Sequence, residues 1–400
     1  MSTTAHPSRP IPMPALLTLG FRPFFLGAGL WAIGAMALWV AALAGAPVLH
    51  THFVPAAWHV HEFLFGYLGA VIAGFLLTAV PNWVRRPPLA GWPLAGLVAC
   101  WLAGRLAVAV SASLPLWLVT VAALALPVAL AVVVGREVVA ARNWRNLIVV
   151  AALVLFALGD AAFLWEDAAG GYAPQGYGLR AGLSAGVMLV AIIGGRIVPA
   201  FTRNWLLRRG PGALPAPPMR RVDEWTLAGL AVALVAWIAA PHMMLTALLL
   251  IVAGGLHIAR LARWAGHRTG TEPLLWSLHL GYLFVPLGAV AIGVQILWPD
   301  LMVEAAARHL WFAGVIGVMT LAVMTRVTLG HTGRPLHAGP GTVVIYLAMV
   351  ASVLARVAAG IWLGPADRLY QLSGGLWILA FAGFLALYGP ILARHTRFPG

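Results

Sequence analysis

The chain has 400 residues, of which 62% are hydrophobic and only 9% charged, and its mean hydropathy is +0.92. Soluble domains carry about 25% charged residues, so the composition excludes a soluble globular protein and demands a polytopic membrane protein. The formal charge of +14 comes from 25 arginines and no lysine. These lie in alternate loops between apolar segments, which excludes nucleic acid as the partner.

Windows of roughly 20 apolar residues, enough to cross ~30 Å of hydrocarbon as a helix, predict an all-α protein with twelve spans. In chain order they lie near 23–44, 57–80, 92–110, 113–135, 144–166, 179–202, 223–240, 242–264, 273–297, 305–329, 341–363 and 370–392. Ser111 to Pro115 punctuates the hairpin of spans 3 and 4, and Pro241 that of spans 7 and 8. The first span is long enough to cross and lacks a small-residue cleavage pattern, so it is expected to stay in the mature protein. Residues 1–400 read as one membrane domain, with 203–222, rich in Arg, Pro and Gly, as a linker. The single cysteine, Cys100, excludes an internal disulfide and any multi-thiolate metal site.

Eighteen of the arginines, from Arg9 to Arg397, fall on the side holding both termini. The opposite loops hold Arg180, Arg308 and Arg368 beside Glu166, Asp167, Asp300, Glu304 and Asp367. Basic loops stay cytoplasmic, so the expectation is a bacterial inner-membrane protein with both termini inside.

Internal similarity suggests three four-helix units, at about 20–136, 143–264 and 272–393. Trp92-Pro-Leu-Ala-Gly-Leu97 opens span 3 and Trp225-Thr-Leu-Ala-Gly-Leu230 opens span 7. Arg196 and Thr202 of span 6 recur as Arg326 and Thr332 at span 10, an offset of 130 residues. Span 2 aligns with span 10 at an offset of 248 residues, bringing His61 onto His309, and Arg105 matches Arg356 at 251. In such an arrangement spans 2, 6 and 10 face a common axis.

His59-Val-His61-Glu62 opens span 2 and His309 opens span 10, on the side away from the termini. Residues two apart on a helix point ~200° away from each other, so His59 and His61 do not share a face. Small residues run behind each site: Gly66, Gly69, Ala70, Ala73 and Gly74, and Ala313, Gly314, Gly317 and Thr320. They either let helices touch or leave room for a flat macrocycle. The offset-matched pair, His61 and His309, is read as the axial ligands of one b-type haem. At the other end of the spans, Arg196 and Arg326 are candidates for contacts to haem propionates or an anion, or else snorkel to the interface. His279 and His331, with His59, are candidates for copper or a second haem, while His257, His267 and His337 read as solvated loop residues. Asp160 is the only span carboxylate well inside besides Glu62, so no acid relay is visible. There is no phosphate-binding glycine loop and no nucleophile arrangement.

Several segments resemble the NnrS family of bacterial membrane proteins. They are Gly20-Phe-Arg-Pro-Phe-Phe25, Trp58-His-Val-His-Glu-Phe-Leu-Phe-Gly-Tyr67, Gly74-Phe-Leu-Leu-Thr-Ala-Val-Pro-Asn-Trp83, Gly194-Gly-Arg-Ile-Val-Pro-Ala-Phe-Thr202, Pro273-Leu-Leu-Trp-Ser-Leu-His-Leu-Gly-Tyr282 and Met319-Thr-Leu-Ala-Val-Met-Thr-Arg-Val-Thr-Leu-Gly-His-Thr-Gly-Arg334. Phe63 departs from the pattern, where methionine is expected. The resemblance implies haem, copper and a part in the response to or tolerance of nitric oxide in denitrifying or nitrosatively stressed bacteria. A quinol or another electron-transfer partner belongs to the same expectation. Twelve spans in three arcs also parallel the catalytic subunit of haem–copper oxidases, by analogy of fold alone. Spans 6 and 7 lack the histidines that such an enzyme needs for copper, so turnover as an oxidoreductase of nitric oxide metabolism stays open. The alternatives are a secondary transporter built from repeated units and a sensor or assembly factor without turnover.

Overall fold

The computed structural model describes residues 13–210, 212, 214–215, 217–362 and 366–395. Arg9, Arg397, three positions of the expected linker (211, 213 and 216) and Leu363 of the eleventh expected span lie outside these residues. Twelve helices are long and apolar enough to cross a membrane: α1 (Phe21–Leu43), α2 (Pro55–Val84), α3 (Trp92–Ala109), α4 (Leu116–Ala140), α5 (Trp144–Ala168), α6 (Tyr177–Leu207), α7 (Arg221–Ala239), α8 (Met244–Ala262), α9 (Pro273–Leu297), α10 (Glu304–His331), α11 (Pro340–Ile361) and α12 (Ala366–Ala393). No strand occurs among the described residues. The all-α, twelve-span reading holds, with boundaries shifted by a few residues.

Local sequence sets where these helices begin. Pro55, Pro273 and Pro340 occupy the first helical position of α2, α9 and α11, where a missing N–H costs nothing and the fixed φ suits the helix. Asp223 caps α7 by accepting from the Arg220 amide at 2.8 Å. Consecutive helices pack side by side, and α12 packs back on α1, closing the ring.

Burial sorts the helices into two classes. In α2, α6 and α10, 89%, 78% and 78% of the apolar stretch is buried, against 33–50% for the other nine. These three converge on a narrow apolar cleft, with Val71, Ile193 and Val323 on its walls. The outer helices turn Leu106, Val121, Val235 and Leu354 outward, as a lipid-facing surface requires, since hydrocarbon gives no penalty for exposing them. Close approach depends on glycine at the α5–α6 contact, where a Cβ on Gly159 would stand 2.6 Å from the Gly182 nitrogen.

The inner helices α2 and α10 share an irregularity that no apolar window reveals. Each starts as a short α-helix ending on a histidine, Pro55–His61 and Glu304–His309. Each then widens into a π-helical stretch, Glu62–Leu68 and Leu310–Met319, before returning to α-helix. Such stretches are rare and collect at functional sites. Both begin one residue after the histidine, so the offset that aligned His61 with His309 also aligns these stretches.

Twelve crossings put the start of α1 and the end of α12 on one face. Reporter fusions after Gly210, which follows α6, and after Asp300, which follows α9, are therefore expected to read opposite compartments. The same compartment for both would overturn this threading.

Candidate functional site: a histidine-lined cavity at α2 and α10

Near the face opposite the termini, α1, α2, α10, α11 and α12 surround a cavity of about 920 Å³ counted to its open mouth. His59 of α2 and His309 of α10 line it, with Arg356 of α11 and Tyr370 of α12. Trp39, Phe63, Phe312 and Trp377 supply apolar walls.

Each polar group is held in place. Trp39 stacks on the His59 ring, with centroids 4.3 Å apart and planes at 14°. His309 donates from Nδ1 to the Ala305 carbonyl at 2.6 Å, which fixes the tautomer and leaves Nε2 with the free lone pair. Arg356 lies over the Tyr370 ring at 4.6 Å. Ser352 and Ser373 bond each other's backbone carbonyls at 2.7 and 2.9 Å, tying α11 to α12 and spending their hydroxyls on structure. Two buried polar atoms at the cavity are left without partners, His59 Nδ1 and Arg356 Nη1.

The structure does not bring the expected pair, His61 and His309, together at this cavity; His59 lines it with His309. The two histidines of α2 do point apart, and His61 points toward α5. Its Nδ1 meets Glu62 Oε1 at 2.9 Å and its Nε2 meets Asp160 Oδ1 at 3.0 Å. Arg105 of α3 completes the cluster by donating to Glu62 Oε1 at 2.5 Å. All four side chains are buried, and Phe53, Phe65 and Phe163 pack against the imidazole. With both ring nitrogens engaged by carboxylates, His61 has no lone pair to offer a metal. Gly66 makes room for this: a Cβ there would collide with Arg105, and its carbonyl accepts from Trp101 Nε1 at 3.0 Å.

The residues expected at the other end do not assemble into one site. Arg196 donates to Asn146 Oδ1 at 2.6 Å, whereas Arg326 lies over the Phe201 ring at 4.2 Å. His279 Nε2 meets the Thr202 hydroxyl at 2.8 Å, while His331 is exposed and packs near Phe21. Among the described residues no three His, Cys, Asp or Glu side chains gather as metal ligands. His267 and His337 are exposed as expected. His257 is not: it is fully buried and bonds the Tyr282 hydroxyl at 2.9 Å. The same hydroxyl accepts from Arg260 at 2.8 Å, and Arg260 pairs with Asp223 at 2.9 Å.

The roles of two residues, Asp160 and Arg356, were therefore hidden from sequence reading. Asp160 read as an isolated acid, yet a carboxylate inside a span signals an unseen partner, and His61 is that partner. Arg356 appeared only as the counterpart of Arg105. Setting α10 on α2 explains the difference between the two arginines: Glu62, which neutralises Arg105, falls opposite Leu310. Arg356 thus faces the cavity with no carboxylate to bind, and forms no ion pair among the described residues.

An all-helical bundle of twelve apolar spans, three of them buried at its centre, defines a polytopic membrane protein. The model of the NnrS protein family matches residues 15–395, and the chain belongs to that family. Membership supports a role in the response to nitric oxide. No curated relative matches the chain.

The His61 cluster predicts a stability effect that needs no cofactor. Removing one member of a buried ion pair costs about 3–5 kcal/mol, so Asp160→Ala and Glu62→Gln are each expected to lower the unfolding temperature in detergent markedly. Because Glu62 and Arg105 are coupled, Glu62→Gln with Arg105→Gln is expected to cost less than the sum of the single changes. Additive losses would show that the cluster is not energetically linked.

Proposed function

We propose that the protein is a haem-binding inner-membrane protein of the nitric oxide response, with both termini cytoplasmic and its haem in the cavity between His59 and His309. The observation carrying this reading is the combination on one cavity wall of two imidazoles from facing helices and an arginine that lacks a counter-ion. This donor set fits a b-type haem: His309 through Nε2 and His59 through a ring nitrogen would hold its iron, and Arg356 would meet a carboxylate of the group. A single cysteine, Cys100 on α3, rules out covalent attachment through a thiol pair. Bound there, haem supplies an iron that takes nitric oxide or passes one electron.

The protein's own groups prepare that chemistry. The Ala305 carbonyl holds the His309 ring and raises the basicity of its free nitrogen. Trp39 restricts His59 to one plane. Arg356, propped on Tyr370, presents a fixed planar donor that recognises a carboxylate better than a lysine would. Trp377 and Phe63 keep water from the inner wall, which strengthens each of these contacts. The arginine asymmetry of the loops supports the assigned orientation.

Protein purified from haem-replete cells is expected to show a Soret band and a low-spin spectrum. His59→Ala and His309→Ala should each lose haem or turn high-spin, whereas His61→Gln should keep the low-spin spectrum. Arg356→Gln should retain the low-spin iron at reduced haem occupancy. A colourless protein would overturn the reading and favour a carrier, and loss of ligation in His61→Gln alone would move the haem to the other face of α2.

A further inference from the structure

A second large cavity lies far from the histidines, on the outside of the bundle. It is a slot of about 1320 Å³, counted to its open mouth, between α5, α6 and α7. Its walls are apolar, with Leu155, Met188, Leu227 and Ala231 among them. Its mouth is not: Arg145 and Arg196 stand on one lip and Glu224 on the other.

The depth of this mouth follows from its contacts. Arg196 Nη1 donates to Asn146 Oδ1, the residue just before the regular part of α5 at Leu147. Glu224 sits in the first turn of α7. Both helices start at the face bearing the termini, so the two guanidinium groups are at headgroup level. From Arg196 to Ser184, the deepest residue of the slot on α6, is twelve residues, or ~18 Å along the helix. One leaflet of a ~30 Å hydrocarbon core is about 15 Å deep, so the slot runs from the headgroups past the bilayer midplane, its α7 wall continuing to Ile238 near the far end of that helix.

The charges at the mouth are unbalanced. Among the described residues neither Arg145 nor Arg196 forms an ion pair with an acid, and Arg196 donates to the Asn146 amide oxygen and to the backbone carbonyl of Arg145. Glu224 likewise forms no ion pair. The N-terminus of α5 adds partial positive charge, with no acidic residue in its first turn to offset it. Two cations and one anion leave a net single positive charge over an apolar slot more than one leaflet deep.

We infer that this slot binds one anionic glycerophospholipid, its phosphate between Arg145 and Arg196 and an acyl chain lying between α5, α6 and α7. A single negative headgroup neutralises the mouth, and glycerol hydroxyls beyond the phosphate can donate to Glu224. Basic pockets between membrane helices are suited to such headgroups. The lipid closes the gap that separates α5 from α7 on the outer side of α6.

Native mass spectrometry of the full-length protein, loaded in turn with phosphatidylglycerol and phosphatidylcholine, tests this. The wild type is expected to retain one phosphatidylglycerol about tenfold more than phosphatidylcholine, and to lose that preference at high salt, which screens the headgroup contacts. Arg145→Gln combined with Arg196→Gln should abolish the preference. Ala231→Trp, which fills the slot and leaves both arginines, should abolish retention of either lipid. Equal retention of the two lipids by the wild type would overturn the inference, as would unchanged retention in both variants. Recovery of a quinone instead of phospholipid on extraction would also overturn it, and would assign the buried, unpartnered Ser184 hydroxyl to a quinone carbonyl.

Discussion

An uncompensated charge at the centre of a bilayer costs about 3 kcal/mol or more, and the interior of this protein is arranged around that penalty. Arg105, Glu62, His61 and Asp160 close on one another, and Arg260 closes on Asp223 and Tyr282. Arg22, also buried, spends its guanidinium on the carbonyls of Ile391 and Leu392 at the end of α12. These clusters connect consecutive helices, α2 with α3 and α7 with α8 and α9, and also helices distant in sequence, α2 with α5 and α1 with α12. They therefore specify which helices are neighbours, a task that apolar surfaces perform poorly in lipid, where burial of one leucine is much like that of another.

Against this background Arg356 stands out. It has the depth and helix of a structural arginine but faces a cavity instead of a carboxylate. Its Nη1 is buried without a partner beside two imidazoles that are themselves held by neighbours. Other buried arginines find a carboxylate or backbone carbonyls, and this contrast is what the proposed ligand site rests on.

The parts of the molecule that rest on composition and periodicity were legible in the sequence, and those that rest on side-chain direction were not. Twelve spans and the central position of α2, α6 and α10 follow from hydropathy and from the internal offsets. Histidine at the start of α2 and α10 was visible too, as was the rule that His59 and His61 point apart. Choosing between them required knowing where Asp160 lies, and that depends on α5 packing beside α2. His257 misled for a similar reason. Its place near the end of α8 suggested solvent, but the Tyr282 hydroxyl and the neighbouring Arg260 hold it inside. The expected gathering of His279 with His331 failed because matching depth along a helix says nothing about the side on which a residue emerges.

The paired π-helical stretches carry a consequence for how variation in this chain is tolerated. Each stretch fits roughly one residue more per turn than an α-helix, so the short segment above it is out of phase with the segment below by on the order of 100°, the angular step of a single α-helical residue. A helical wheel drawn through the whole of α2 or α10 therefore puts its top and bottom on inconsistent faces. Deleting one residue between Glu62 and Leu68, or between Leu310 and Met319, would leave hydropathy and span length almost untouched. It would restore a regular helix and swing His59 or His309 away from the cavity, so that length within these two windows is as much a part of the site as the identity of the histidines.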